Sequence, residues 1–326
     1  MADPTKGDTM VLYLDVLVPA LIALISGLVI NSFIIVINVT NWLNGRSVTP
    51  VDLIITSLGI SRMCNQCAFT LSIIVSTIFL NNLHVDVTVF IMEALYSFFV
   101  YTNIWLTSLL SIVFCLKISN LRTRLFLYLR RMIGQRTVHF IVGSVLLSAM
   151  NCLLSLLPTI IDVTKGGTYN TTMEIFLMNC KFRNSFYSHI ISFFITLLFC
   201  SVSSVLLITS LYRHITKMKM SGNLSINLET YYSAMTFVLI TFIYNIIYFT
   251  GHMVRVFMYF LYFLYVPWFY TVLEFLPVLH SSYLIYRTAK LRGHMSKVLQ
   301  NVIDFLYQKK SAETREDIEI VALSCN

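Results

Sequence analysis

Seven long apolar stretches fill most of the 326-residue chain, and its charged residues are concentrated between them. The stretches cover residues 11–39, 51–80, 87–116, 138–161, 185–211, 231–253 and 257–286. A helix needs about 20 mostly apolar residues to cross the hydrocarbon core of a bilayer, and each stretch reaches that length. The pattern therefore predicts an all-α membrane protein, a bundle of seven transmembrane helices whose termini lie on opposite sides of the membrane.

The distribution of basic residues predicts the orientation of this bundle. If the N-terminus is outside, 17 of the 23 Lys and Arg residues fall in cytoplasmic segments, one lies within the second stretch, and five fall in outer segments: Lys6, Lys165, Lys181, Arg183 and Arg255. Short cytoplasmic loops carry an excess of Lys and Arg. We therefore expect a short extracellular N-terminus (1–10), a membrane domain (11–290) and a cytoplasmic tail (291–326). Contact with anionic membrane lipid, without any nucleic acid, explains the net charge of +8.

Two segments outside the membrane carry recognisable signals. The tail begins with apolar residues at helical spacing, which predicts an amphipathic helix on the inner leaflet: Met295, Val298, Leu299, Val302, Ile303 and Leu306. Beyond Lys310 the sequence turns acidic, and we expect disorder there. The longest outer loop contains the sequon at Asn170, which is the one sequon in the predicted topology that can be glycosylated.

Ionisable residues inside a membrane span are costly and need partners or a function. Arg62 is too deep to reach the headgroups easily, so it should face the bundle and bond to Asn31 or to the pair His280 and Ser281. A structural lock is favoured over ligand contact for Arg62. Glu274 lies in the outer half of the seventh stretch, where facing a ligand cavity and pairing with a neighbouring helix are equally supported.

Enzyme and metal chemistry have little support in the sequence. It contains no H-E-x-x-H, no G-x-S-x-G and no glycine loop that could cradle a phosphate. Cys64 and Cys67 form a C-x-x-C pair, but no second pair completes a zinc site. We therefore predict neither catalytic residues nor a metal or cofactor.

Several strings, in order and on the appropriate helices, resemble the type 2 (bitter) taste receptor family of G-protein-coupled receptors. The third stretch reads W-L-T-S-L-L-S at 105–111 and L-K-I-S-N at 116–120, similar to the family's W-x-A-T-x-L-S-x-F-Y-x-L-K-I-A-N. The second contains V-D-L-I at 51–54 and L-G-I-S-R at 58–62, the fifth ends L-L-I-T-S-L-Y-R-H at 206–214, and the seventh contains P-V-L-H-S at 277–281. The resemblance extends from Asn31 to Leu291.

The resemblance implies a function and places residues in roles. It implies a plasma-membrane receptor that binds small, largely apolar bitter agonists and activates a heterotrimeric, gustducin-like or inhibitory-class G protein. The implied agonist contacts are Tyr96, Val100, Tyr244, Tyr248, Tyr270 and Glu274. The implied G-protein contacts are Lys117, Asn120, Arg122, His214 and Lys217, and the implied structural or activation positions are Asn31, Arg62, Trp105, His280 and Ser281.

The chain also departs from the family pattern, and other functions stay open. Many members carry Trp and Asn where this chain has Tyr96 and Val100, and several carry Glu where it has Tyr270. The pocket should therefore have its own ligand range. A related chemosensory receptor of the vomeronasal type 1 kind is the first alternative, although the string His280-Ser281 favours the taste family. A transporter or membrane enzyme is a weaker one.

Overall fold

The structure, a computed structural model, describes residues 4–78, 85–118, 124–164, 190–191, 194–213, 216, 227–262 and 267–324. These residues form helices and short connections, and this part of the chain contains no β-strand. The helices are α1 Pro4–Leu43, α2 Pro50–Ile78, α3 Val85–Ile118, α4 Arg124–Thr164, α5 Phe194–Arg213, α6 Asn227–Tyr262, α7 Pro267–Arg287 and α8 Ala289–Ser324. The prediction of an all-helical protein is thereby confirmed for the described residues.

Six of the described helices, α1 to α6, contain segments long and apolar enough to cross a membrane. Helix α7 is not among them, because Glu274, His280 and Ser281 lower its mean hydropathy. All three side chains are buried. The polarity of α7 is therefore directed into the protein.

The turn between α1 and α2 is determined by two local motifs. Gly45 has a φ of +73°, and the hydrogen bonds from its N–H to the Trp42 carbonyl and from the next N–H to the Asn41 carbonyl end α1 in a Schellman motif. Helix α2 begins with a reciprocal cap, in which Thr49 Oγ accepts from the backbone of Asp52 (3.2 Å) and Asp52 Oδ2 accepts from the backbone of Thr49 (3.3 Å). Asp52 is thus a capping residue.

Two boundaries refine the predicted spans. Arg136 has non-helical dihedral angles (φ −125°, ψ 28°) inside α4, which separates Arg124–Gln135 from the apolar stretch predicted to begin at 138. The predicted start of the seventh span at 257 is wrong, because α6 continues to Tyr262 and α7 begins at Pro267. Proline favours the first turn of a helix, whereas the preceding aromatic residues extend α6.

The described chain divides into two compact units, Met1–Ser281 and Ser282–Asn326. In the first unit, α2 contacts α1, α3 and α4, and α3 also contacts α4 and α6. In the apolar part of α3, 78% of the residues are buried, compared with 22% in α4. Helix α3 therefore lies at the centre of this unit, and α4 lies at its edge.

The second unit contains α8, which follows the single non-helical residue Thr288. Exposed apolar side chains lie along the first half of this helix: Val298, Leu299, Val302, Ile303, Phe305 and Tyr307. The backbone stays helical to Ser324, so the disorder expected after Lys310 is not found. No Gly or Pro interrupts the chain after Gly293, and Ala, Glu and Arg favour the helix.

Candidate functional site

A buried arginine connects α2 to α7. Arg62 is only 1% exposed, and its Nη1 donates to Ser281 Oγ at 2.7 Å and to the Pro277 carbonyl at 3.4 Å. Its Nη2 lies 2.8 Å from His280 Nδ1. An ion in an apolar bundle is costly unless several polar groups replace its water. Arg62 on α2 therefore depends on its partners on α7, and these bonds hold the two helices in one register.

The contact with Arg62 also determines the tautomer of His280. A guanidinium can only donate, so Nδ1 accepts the bond and the proton of the neutral ring lies on Nε2. The imidazole stacks on Tyr244, with ring centroids 4.1 Å apart and planes 10° apart, and Arg62 Cζ lies 5.8 Å from the centroid of the same tyrosine ring. Helix α6 thereby joins the contact between α2 and α7.

The same network continues into α1. Ser281 Oγ donates to Asn31 Oδ1 at 2.8 Å, and Asn31 Nδ2 donates to the carbonyl of Gly27 at 2.9 Å. One chain of hydrogen bonds therefore joins α2, α7 and α1. Asn31, His280 and Ser281 are the residues that the sequence suggested as partners of Arg62.

A second buried polar cluster surrounds Glu274 on α7. This side chain is 2% exposed. Its Oε2 accepts from Asn65 Nδ2 at 2.8 Å and its Oε1 accepts from the Tyr96 hydroxyl at 2.9 Å. Gln66 Nε2 also donates to the Glu274 carbonyl at 3.4 Å. Of the two roles left open for Glu274, the structure shows the pairing with neighbouring helices, here α2 and α3.

Asn65 and Gln66 belong to this cluster, although the sequence did not single them out. Both are buried, and they lie three and four residues after Arg62, which places all three on one side of α2. The available signal was a run of polar side chains on the same side of an apolar helix.

The residues predicted to contact agonist lie together. Tyr96, Val100, Tyr248 and Tyr270 belong to one buried apolar cluster, and Tyr244 packs against it. Tyr244 and Tyr248 stack with ring centroids 5.7 Å apart. Glu274 joins the group through its bond to Tyr96. Helices α3, α6 and α7 thus bring all six side chains to one region.

Arg255 lies in the same region, which corrects its expected position in an outer segment. It is 9% exposed on α6, and its Cζ lies 4.6 Å from the ring centroid of Tyr96 and 5.0 Å from that of Tyr270. The misplacement follows from the span boundary, because α6 was expected to end at Met253 and extends to Tyr262.

A third contact region joins α5 to α3 and α6 through a buried cysteine. Cys200 Sγ accepts from Asn245 Nδ2 at 3.0 Å and lies 3.8 Å from Ser111 Oγ. Ser108 Oγ donates to the Thr196 carbonyl at 3.4 Å. Weak polar contacts such as these hold helices together without placing a charge between them.

Metal ligands do not converge in the described ranges, where no three His, Cys, Asp or Glu side chains form a group that could hold an ion. Two networks of buried polar groups there lie around Arg62 and around Glu274. Both networks join helices, and the aromatic cluster lies beside them.

Comparison with known protein families identifies the family to which the chain belongs. The family model described as taste receptor protein (TAS2R) matches residues 9–303. The chain belongs to this family. Its family is one of taste receptors, and its apolar helices make it a multi-pass membrane protein.

Individual taste receptors show how far the likeness extends. Taste receptor type 2 member 9 of Papio hamadryas is 35% identical over 118 residues, which are 36% of this chain and 38% of that protein. Member 9 of Homo sapiens is 33% identical over the same length. Member 16 of Gorilla gorilla gorilla is 26% identical over 221 residues, 65% of this chain and 72% of that protein. The match therefore spans well under half of the member 9 relatives.

Most of the remaining predicted positions lie at or beyond the limits of the described residues. Lys117 is near the end of α3. The other predicted G-protein contacts, Asn120, Arg122, His214 and Lys217, lie outside the described residues, as does the sequon Asn170. Trp105 is half-buried on α3, and its Nε1 has no hydrogen-bond partner among the described residues.

Proposed function

We propose that the chain is a G-protein-coupled bitter taste receptor of the plasma membrane, activated by small, largely apolar agonists. The observation that carries this proposal is the family match over residues 9–303. The relatives it resembles are named taste receptor type 2 members, and the aromatic cluster supplies a region of suitable chemistry.

The proposed topology has seven crossings, with the N-terminus outside and the C-terminus cytoplasmic. Six described helices have the length and composition of membrane spans. The seventh crossing is α7, whose polar residues are buried inside the protein. Since Arg255 lies within α6, the outer segments retain four of the five basic residues first assigned to them. The charge asymmetry that favours this orientation is thereby strengthened.

The proposed agonist site is formed by Tyr96, Val100, Tyr244, Tyr248, Tyr270 and Glu274. Ligand sites are mostly apolar and aromatic, with a few polar groups that orient the ligand. The cluster supplies this combination, because one carboxylate and several tyrosine hydroxyls lie among buried rings. A site shared by α3, α6 and α7 is also able to respond to changes in the relative positions of these helices.

Activation then follows from differential binding. An agonist shifts the equilibrium only by as much as it prefers the active arrangement. The network of Arg62, His280, Ser281 and Asn31 crosses α1, α2 and α7 and stacks on Tyr244 of α6. We propose that it stabilises the resting arrangement and reorganises when α6 moves. The gustducin-like G protein would contact the cytoplasmic ends through Lys117, Asn120, Arg122, His214 and Lys217, and Asn170 would be glycosylated.

The test is intracellular calcium in cells that express the receptor with a promiscuous chimeric G protein, against a panel of bitter compounds. Tyr270→Ala should lower agonist potency roughly tenfold or more, because a buried aromatic contact is a typical hot spot, with normal surface expression. Val272→Ala is the matched control, since Val272 lies on the same helix and is 52% exposed. Unchanged potency across several agonists would remove Tyr270 from the site.

A further inference from the structure

A small cavity lies between α3, α5 and α6, and the residues that line it differ from those of the aromatic cluster. Two of them, Phe114 and Phe237, pack edge to face across α3 and α6 with ring centroids 5.0 Å apart. The cavity offers the centre of a water-sized sphere about 10 Å³, which is roughly the space that one buried water molecule needs. It is therefore too small for an agonist but large enough for a single water.

Three hydroxyl groups line this cavity, one from each helix: Ser111 on α3, Ser204 on α5 and Thr241 on α6. All three side chains are buried. A dry cavity in a protein is normally lined by apolar groups alone, whereas a buried water forms about three hydrogen bonds to polar partners. The lining therefore has the chemistry of a water site.

The hydroxyl of Thr241 is the group that needs a partner. A threonine inside a helix often donates to a carbonyl of the preceding turn, as Thr236 of the same helix does to Tyr232 at 2.9 Å. Thr241 is 4% exposed, and its Oγ1 has no hydrogen-bond partner among the described residues. An unpaired buried hydroxyl is costly, so a water in the cavity would complete its bonding.

The other two hydroxyls retain the capacity to accept a bond from such a water. Ser111 Oγ donates to the Thr107 carbonyl at 3.2 Å, and the Ser204 hydroxyl interacts with Cys200. A hydroxyl has one donor and two acceptor sites, so each serine keeps an acceptor site. One water can therefore accept from Thr241 and donate to both serines.

We propose that this cavity binds one ordered water molecule, which links Thr241 of α6 to Ser111 of α3 and Ser204 of α5. The water and the neighbouring contact of Phe114 with Phe237 together hold α6 against the other two helices. The consequence for signalling rests on the proposed receptor function. Movement of α6 during activation breaks the bridge, so the water stabilises the resting arrangement.

The substitution Thr241→Val distinguishes a water site from a dry cavity by the sign of its effect. Valine replaces the hydroxyl with a methyl group of similar size. If the water is bound, Thr241→Val removes a hydrogen bond and should lower the ratio of folded to unfolded receptor roughly twofold to tenfold. In a dry cavity it removes an unpaired hydroxyl, so the same ratio should rise. The ratio is measured for the purified full-length receptor in mixed micelles, at a fixed fraction of denaturing detergent.

Thr236→Val is the matched control, because Thr236 is an exposed threonine of the same helix. It should leave the ratio within about twofold of its original value, as expected for a surface substitution.

The substitution Ser204→Ala tests whether one water is shared between α5 and α6. Since Thr241 Oγ1 has no direct partner among the described residues, independent hydroxyls at Thr241 and Ser204 should have additive effects. If one water joins them, the effect of Thr241→Val should be at least about twofold smaller in a Ser204→Ala background. Equal effects in both backgrounds, or a ratio that stays the same or rises in Thr241→Val alone, would show that the inference is wrong.

These stability measurements need no agonist, so they decide the water site independently of the receptor function. The consequence for signalling is tested by nucleotide exchange on the G protein without agonist. This basal exchange should rise by up to about tenfold in Thr241→Val and stay unchanged in Thr236→Val. Unchanged basal exchange in Thr241→Val, beside the expected loss of stability, would overturn the role of the water in the resting arrangement.

Discussion

The bond between Arg62 and Ser281 makes a quantitative prediction about the stability of the bundle. Ser281→Ala removes the 2.7 Å partner of a fully buried guanidinium and also leaves Asn31 Oδ1 without its donor. Hydrogen bonds to charged groups contribute about 1.5–3 kcal/mol, and an unpaired buried acceptor costs about 1–3 kcal/mol. We therefore expect the free energy of unfolding to fall by about 3–5 kcal/mol.

The same substitution should cost much less when the charge is absent. In an Arg62→Met background no guanidinium needs a partner, so Ser281→Ala then costs only the unpaired Asn31 Oδ1, at about 1–3 kcal/mol. The coupling free energy between the two positions should therefore be about 2 kcal/mol. Such coupling is expected for residues that share one network and not for distant ones.

The assay is unfolding of the purified receptor in mixed micelles as the fraction of denaturing detergent rises. Buried free cysteines provide the signal, because Cys115, Cys152 and Cys200 become reactive to a pulse of thiol dye when the bundle opens. Leu279→Ala is the matched control, since this residue lies two positions before Ser281 and is 63% exposed. Its effect should add to that of Arg62→Met without coupling.

Coupling below about 0.5 kcal/mol would refute this account, because that is the range in which independent sites are additive. It would mean that Arg62 and Ser281 do not depend on each other in the folded bundle. The role of the network as a lock on the resting arrangement would then lose its energetic basis.

Substitutions at Gly27, Glu274 and Thr49, some with control variants, test three other contacts. Gly27→Ala should destabilise the receptor by about 1 kcal/mol or more, because the added Cβ would overlap the amide of buried Gln66. Gly143→Ala should instead stabilise it by about 0.5–1 kcal/mol, because nothing lies within 4 Å of the added Cβ. Glu274→Leu should destabilise it by about 1 kcal/mol or more beyond Glu274→Gln, because leucine removes the acceptor of two buried donors, Asn65 Nδ2 and the Tyr96 hydroxyl. Thr49→Ala should cost about 1 kcal/mol through loss of the cap of α2. Each value is measured by the same unfolding assay.

Each of these predictions has a result that contradicts it. Equal effects of alanine at Gly27 and Gly143 would show that the contact of α1 with Gln66 is loose. Equal stability of the leucine and glutamine variants at Glu274 would show that its hydrogen bonds contribute nothing. An unchanged Thr49→Ala receptor would mean that water replaces the cap.

The membrane helices were predictable because each apolar stretch is long enough to cross a bilayer. The kink at Arg136 agrees with the predicted start of the fourth stretch. The boundary between α6 and α7 was harder, because aromatic residues on both sides of the junction have similar hydropathy. Pro267 was the available signal for the start of α7, and its use would have placed Arg255 within α6.

The polar site was predictable only in part. An arginine in an apolar stretch requires partners, so Asn31, His280 and Ser281 could be suggested as its partners. The partners of Glu274 could not be deduced, because the neighbouring amides of Asn65 and Gln66 look alike until the rotation of α2 is known. Asn65 and Tyr96 come from different helices, and only the packing of α2 and α3 against α7 brings them to one carboxylate.

Ligand-dependent nucleotide exchange tests the central claim most directly. The purified receptor in lipid nanodiscs is mixed with a gustducin-like G protein, and binding of a non-hydrolysable GTP analogue is followed as bitter compounds are added. The account predicts dose-dependent acceleration of exchange that Tyr270→Ala weakens and Val272→Ala preserves. Ligand-dependent currents or uptake in proteoliposomes without any G protein, together with no acceleration of exchange, would contradict it.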